Sequence, residues 1–300
     1  MSEAAVQLSL LCPRCGVRYA PDSAFCPKDG APLLDAAPIA VGERPHAAPP
    51  PSVPLDPYVG RVILDHIEIR EAIGSGAMGK VYRAFQSGID RDVAVKILHR
   101  ELSANRELSA RFDREAKVAS RISHPNVVNV YLAGHLADDS LYIVMEHLEG
   151  PTLGALLRRP ASAASSSGNP TGKLPLERAL RIILQICDAV GEGHVQGVVH
   201  RDLKPDNVML VRRGTDDDFV KVLDFGIARL TATDNSDATA AGLIFGTARY
   251  ISPEGARGEA ATPASDVYAI ATLLYQMLCG RTPFDGEQAV GILVRQIHDA

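Results

Sequence analysis

A glycine-punctuated run, Gly74-Ser75-Gly76-Ala77-Met78-Gly79, followed by Val81, is the first stretch of this chain whose backbone could do chemistry. Glycines at this spacing let a hairpin tighten and bring N–H groups up to phosphate oxygens without a side chain in the way. Taken alone the run is compatible with a ligand-free turn or with a dinucleotide loop. A dinucleotide loop opens a helix, whereas here a strand-like run follows. Past it stands Lys96, at the end of the strand pattern Val93-Ala94-Val95-Lys96. A lysine in an apolar strand needs a partner. Glu115, in a helical pattern from Leu102 to Ile122, is the expected one, the ion pair holding the ammonium toward the α- and β-phosphates of a nucleotide. The alternative is a surface lysine with its stem laid along the protein.

A second constellation lies near the N-terminus. Cys12-Pro-Arg-Cys15-Gly and Cys26-Pro-Lys-Asp29-Gly are two copies of one turn. Each places two side chains on a tight knuckle whose glycine can adopt positive φ. Two facing knuckles supply a tetrahedral site, and the head is similar to zinc ribbons in this respect. Cys12, Cys15, Cys26 and Asp29 are the candidate Zn²⁺ ligands, Asp29 standing where a fourth cysteine is usual. An unoccupied or redox-active cysteine pair is the other reading. With little core in residues 1–30, metal would carry the folding of this head.

These groups must be positioned by regular elements. The chain has 300 residues, 46% hydrophobic and 22% charged, enough for a full core and a length that suggests about two domains. Residues 31–57 hold eight prolines and no periodicity, and read as an extended linker between a head, 1–30, and a catalytic-sized segment, 58–300. In that segment alternation at Val62, Ile63, Ile67 and Ile69 predicts strands first. Spacings of three and four from Leu176 to Val195 and from Ser265 to Leu278 predict helices later. A flexible insertion is expected at 160–172.

Composition also excludes. Three of the five cysteines crowd into 12–26, which argues for a local metal site over a disulfide framework. A net charge of −5 gives no global attraction to nucleic acid or anionic membrane, so no nucleic-acid partner is expected. The longest uncharged apolar run, Val267 to Leu278, is too short to cross a bilayer. With no secretory signal at the N-terminus, the expected compartment is the cytoplasm; an anchor after residue 300 is left open.

The later motifs decide between the readings of the glycine run. His200-Arg201-Asp202-Leu203-Lys204-Pro205-Asp206-Asn207 is followed by Asp224-Phe225-Gly226, Gly246-Thr247 and Ser252-Pro253-Glu254. In order and spacing this series resembles the eukaryotic-like protein kinases, and with Met78 and the Ile-Ser-Pro-Glu ending it looks most like bacterial serine/threonine kinases. The resemblance spans about Tyr58 to Ala300. It implies an α+β, two-lobed fold, a β-rich N-lobe and an α-helical C-lobe, preceded by the zinc-ribbon-like module.

It implies roles as well. Asp202 would accept or orient the proton of the substrate hydroxyl, Asn207 and Asp224 would bind two Mg²⁺, and Lys204 would contact the γ-phosphate of ATP. Lys204 and Thr247 resemble the Ser/Thr-specific branch, so protein serine and threonine are the expected acceptors. For adenine, Met145 would gate the back of the pocket and the backbone of Glu146 and Leu148 would bond the base. Val81, Ala94 and Met209 would form its apolar walls, although ordinary core would look the same.

The resemblance further implies regulation. Arg201 would clamp a phosphate on the activation segment, with autophosphorylation expected among Thr231, Thr233, Ser236 and Thr239, requiring possible self-association. Asp266 would anchor the catalytic loop. Family domains continue for several helices past the position of Ala300, so C-terminal helices are expected to be missing, and with them the arginine that usually pairs with Glu254. Two rivals remain: a pseudokinase scaffold, and a protein-binding module centred on the zinc head.

Overall fold

The computed structural model describes residues 10–14, 17–20, 23–28, 30–35, 56–76, 78–103, 105–158, 172–225, 248–286 and 288–299. Cys15, Asp29, Ala77, Gly226, Thr231 to Thr239, Gly246 and Thr247 lie outside them, as do nearly all of the expected insertion and residues 36–55 of the expected linker. The chain divides into two units, Met1–Leu55 and Asp56–Ala300.

In the first unit a three-stranded antiparallel sheet places β1 (Leu10–Leu11) between β2 (Arg18–Tyr19) and β3 (Leu34–Asp35). The sheet reaches past the boundary expected at residue 30. Leu11 pairs with Leu34, and Phe25 with Pro32, while Ala31 and Leu33 pack in one cluster with Cys12 and Cys26.

The second unit begins with a six-stranded antiparallel sheet in the order β4-β5-β6-β7-β9-β8. Its strands are β4 (Val62–Ile63), β5 (Ile67–Gly76), β6 (Gly79–Gln86), β7 (Arg91–Leu98), β8 (Val130–His135) and β9 (Leu141–Glu146). Side chains alternate faces along a strand. On β7, Val93, Val95 and Ile97 join one core with Ile67, Ile69 and Tyr82, while Ala94 and Leu98 join another with Phe112 and Ala116. That alternation puts Lys96 on the Ala94 face.

Between β7 and β8 run a short α1 (Arg100–Ser103) and α2 (Arg106–Ala119). The single helix expected from Leu102 to Ile122 is thus divided, because Asn105 caps a new helix, its side chain accepting from Glu107 and Leu108 N–H at 2.9 and 3.2 Å.

The C-lobe is helical: α3 (Leu153–Leu157), α4 (Leu176–Val195), α5 (Pro253–Ala256), α6 (Pro263–Cys279) and α7 (Ala289–His298), with one hairpin, β10 (Val208–Arg213) and β11 (Asp216–Val222). Thr262 and Ser265 form a reciprocal cap at the start of α6, and Gly280 closes it at φ 74°. Ile182, Ile186, Val190 and Leu273 bury the α4–α6 seam. Among the described residues no helix is long and apolar enough to cross a membrane.

Candidate active site

The glycine run forms the turn of the β5–β6 hairpin, with Gly74, Ser75 and Gly76 ending β5 and Gly79 opening β6 opposite Gly76. Glycine is required at 79: a Cβ there would stand 2.1 Å from the Ile97 carbonyl oxygen of β7. Met78 and Gly76 are both fastened to His99, whose N–H donates to Met78 O at 2.9 Å and whose Nε2 is 3.1 Å from Gly76 O.

The loop from His200 to Asn207 lies beneath. Asp266, 2% exposed on α6, accepts from the N–H groups of His200 and Arg201 at 2.8 and 2.9 Å and meets His194 Nε2 at 2.8 Å. These bonds hold Arg201 at φ 71°, a conformation that costs a non-glycine residue on the order of 1–3 kcal/mol. His200 Nε2 meets Leu223 O at 2.8 Å and Leu223 N–H donates to Asn207 O at 2.9 Å, so the loop is stitched to the strand that delivers Asp224.

Around Asp202 the polar groups converge. Lys204 Nζ donates to Asp202 Oδ2 at 2.6 Å, and Asn207 Nδ2 donates to Asp202 O at 2.7 Å and to Oδ2 at 3.1 Å. Oδ1 is buried and has no partner among the described residues. One carboxylate oxygen is therefore held by two donors while the other remains open as an acceptor.

Lys96, 8% exposed, donates to Asp224 Oδ2 at 2.7 Å. The pairing with Glu115 expected from sequence is not found. Glu115 on α2 lies 4.0 Å from Arg201 Nη1 instead. A buried ammonium takes the nearest anion, and with α2 turned to the catalytic-loop cation that anion is Asp224. Burial acts to raise the Asp224 carboxyl, but the charge and hydrogen bond of Lys96, with smaller help from His200 and Lys204, hold it below its ordinary value. Asp224 sits at φ 57°, and the ring of Phe225 stacks edge-on to His200 at 4.8 Å.

Of the residues expected around adenine, Val81, Ala94, Met145 and Leu148 share one apolar cluster. Met209 comes from β10, bridged to Thr152. Behind Met145 a small cavity bordered by Val128, Ile143 and Ala119 reaches Asp224 and Phe225.

One part of the site was not foreseen. The side chain of Glu146 turns away from the cleft and accepts from Lys221 Nζ at 2.8 Å and Asn129 Nδ2 at 3.2 Å, while Lys221 also donates to Val127 O at 3.3 Å. Lys221 is 7% exposed. Its place in the strand run Val220-Lys221-Val222 was the available signal, since a lysine amid buried valines must find an anion.

Glu254 stands at the start of α5. It accepts from Ser265 Oγ at 2.7 Å, and that bond foremost keeps its carboxyl below the ordinary value.

Comparison with known proteins agrees with this geometry. Residues 67–299 match the protein kinase domain family. The chain is 42% identical over 246 residues to the serine/threonine-protein kinase pkn3 of Myxococcus xanthus, covering 81% of this chain and 43% of that protein. It is 40% identical over 239 residues to PrkC of Bacillus subtilis, covering 80% of this chain and 34% of that protein. The chain thus spans less than half the length of these curated relatives. Among solved structures, the Mycobacterium tuberculosis PknI kinase domain superposes with a TM-score of 0.57 at 25% identity, covering 80% of this chain and 90% of the other.

Proposed function

The chain belongs to the protein kinase domain family, as a serine/threonine kinase, and we propose that it transfers the γ-phosphoryl group of ATP to serine and threonine hydroxyls of proteins. The observation that carries the reading is Asp202: one oxygen is held by Lys204 and Asn207, and the other, Oδ1, is buried with no partner among the described residues, its acceptor capacity uncommitted. An acceptor hydroxyl would give its proton to Oδ1 as its oxygen attacks the γ-phosphorus and the bond to the departing ADP oxygen breaks, while the Oδ2 bonds keep the carboxylate aimed.

Lys204 adds positive charge beside that proton path, and Lys96 adds it at Asp224. The donor set suits ATP with Mg²⁺. Asn207 spends its amide nitrogen on Asp202, which leaves the amide oxygen, with the Asp224 carboxylate, to hold the hard cation. Magnesium, when bound, neutralises phosphate charge. The backbone of Glu146 and Leu148 would take the adenine edge, with Val81, Ala94 and Met209 as walls and Met145 at the back. Incubation with γ-labelled ATP and magnesium followed by phosphoamino-acid analysis tests the reading. Labelled phosphoserine or phosphothreonine is expected, and label confined to phosphotyrosine would contradict it.

Arg201, close to Glu115, is the cation for an activation-segment phosphate in this reading, added at Thr231 to Thr239 between associating copies. Mass spectrometry of active protein should find the modification there.

For the head we propose structural zinc held by Cys12, Cys15, Cys26 and Asp29. Cys12 N–H donates to Val17 O at 3.0 Å and Cys26 N–H to Ala31 O at 2.8 Å, the same bond in both turns. Both sulfurs are buried in one cluster with Ala31. Among the described residues no group of three such ligands assembles, and two of the four proposed lie outside them. Protein purified without chelator should carry about one zinc per chain, and a content near zero would rule the site out.

A further inference from the structure

The turn Ala248–Tyr250 is fixed at three consecutive residues by three different parts of the C-lobe. The Tyr250 hydroxyl donates to Gln276 Oε1 of α6 at 2.7 Å. Arg249 reaches Asp285 Oδ1 through Nε at 2.9 Å and Nη2 at 2.7 Å, and the Asp285 carbonyl accepts from Arg295 of α7 at 3.0 Å. The Ala248 carbonyl accepts from Gln296 Nε2 of α7 at 2.9 Å. A single 3₁₀ turn has too few bonds of its own to set its place, so its position comes from these attachments.

Gln296 is the unusual member. It is 0% exposed, and its Oε1 has no partner among the described residues. A buried amide satisfied on one side only is a poor choice for stability, because an apolar side chain of the same length would fill the space without an orphaned acceptor. What the amide supplies, and a methionine could not, is a donor for Ala248. The turn it holds shares the buried core of the C-lobe with the catalytic loop, Tyr250 in one cluster with Leu203. Burial pushes the Tyr250 hydroxyl up to about 12, with Asp206, four residues beyond Asp202, adding to the rise, while Arg249, the bond to Gln276 and Arg158 act against it.

We propose that Gln296 is a positioning residue for the protein substrate, carrying the placement of α7 into the 248–250 turn and so into the distance between the acceptor hydroxyl and Asp202. The proposal rests on the kinase reading. Asp285, through Arg249, is its second attachment.

Steady-state kinetics of the full 300-residue chain, with dephosphorylated casein as acceptor, test it. Gln296→Met should raise the KM for casein about tenfold while leaving the KM for ATP and the casein-independent hydrolysis of ATP within twofold of wild type. Asp285→Asn, on the exposed side of the same attachment, should raise the casein KM in the same selective way and serves if Gln296→Met does not fold. An unchanged casein KM in folded variants, or casein and ATP KM rising together, overturns the role of Gln296 alone. A wild-type chain that binds ATP yet never labels casein overturns the kinase reading with it.

Discussion

Lys96 Nζ lies 2.7 Å from Asp224 Oδ2 across 128 residues of sequence, the N-lobe cation bound directly to a carboxylate of the C-lobe. Lys96→Met should lower kcat by about a hundredfold to a thousandfold, the loss typical of removing one preorganised charge-stabilising donor. It also leaves burial as the leading influence on the Asp224 carboxyl, which then protonates more readily and binds a cation less well. Kinetics alongside a thermal melt check this: activity should fall far more than stability.

Arg201 stands 4.0 Å from Glu115, a loose contact that leaves guanidinium donors for a phosphate. Arg201→Met should therefore erase the difference in kcat between phosphatase-treated and autophosphorylated protein. A preserved difference would place the phosphate elsewhere.

Gly193 sits inside α4, where glycine costs roughly 0.5–1 kcal/mol relative to alanine. A Cβ at this position would stand 2.7 Å from Phe225 Cε1 and 3.3 Å from Val198 O. Because Phe225 is 3% exposed and packed on His200, its ring has little room, and overpacking costs about 1–3 kcal/mol. Gly193→Ala should thus lower both melting temperature and kcat; a gain in stability with full activity would show that the ring moves freely.

Lys221→Met removes one of the donors to the Glu146 carboxylate and leaves it, among the described residues, to Asn129. A loss of about 1–3 kcal/mol is expected for breaking a charged hydrogen bond of this burial. The double variant with Glu146→Gln should cost less than the two singles summed, since each removes the same interaction. Denaturant unfolding of all three proteins measures it.

Asp224, Asp285 and Glu254 all have carboxyls held below ordinary values of 3.8 and 4.5, through Lys96 against burial, through Arg249, and through Ser265. A carboxyl depressed in the folded state adds stability that is present above its unfolded value and lost as pH falls through the folded one. These groups should leave melting temperature level from neutrality down to about pH 5 and lower it progressively below about pH 4. A decline already under way at pH 6 would point to other groups.

Much of the site was legible in the sequence because its motifs are local. Asp202, Lys204 and Asn207 fall within one short loop, where spacing alone brings them together, and the strand pattern Val93-Ala94-Val95-Lys96 marked the lysine as needing a partner. The partner of Lys96 was not legible, since the choice between Glu115 and Asp224 depends on where α2 rests, a question of packing. Lys221 with Glu146, and Gln296 with Ala248, join residues too far apart for periodicity to pair. In the head, Pro32 read as linker because a proline-rich composition masks the two-residue strand Leu34–Asp35 that completes the sheet.

The most direct test compares Asp202→Ala with wild type, measuring magnesium-dependent transfer of label from ATP to casein together with nucleotide affinity. Loss of transfer by at least a hundredfold at unchanged affinity is the predicted result. Transfer at the wild-type rate without the Asp202 carboxylate would contradict the assignment of Oδ1 as the acceptor of the substrate proton.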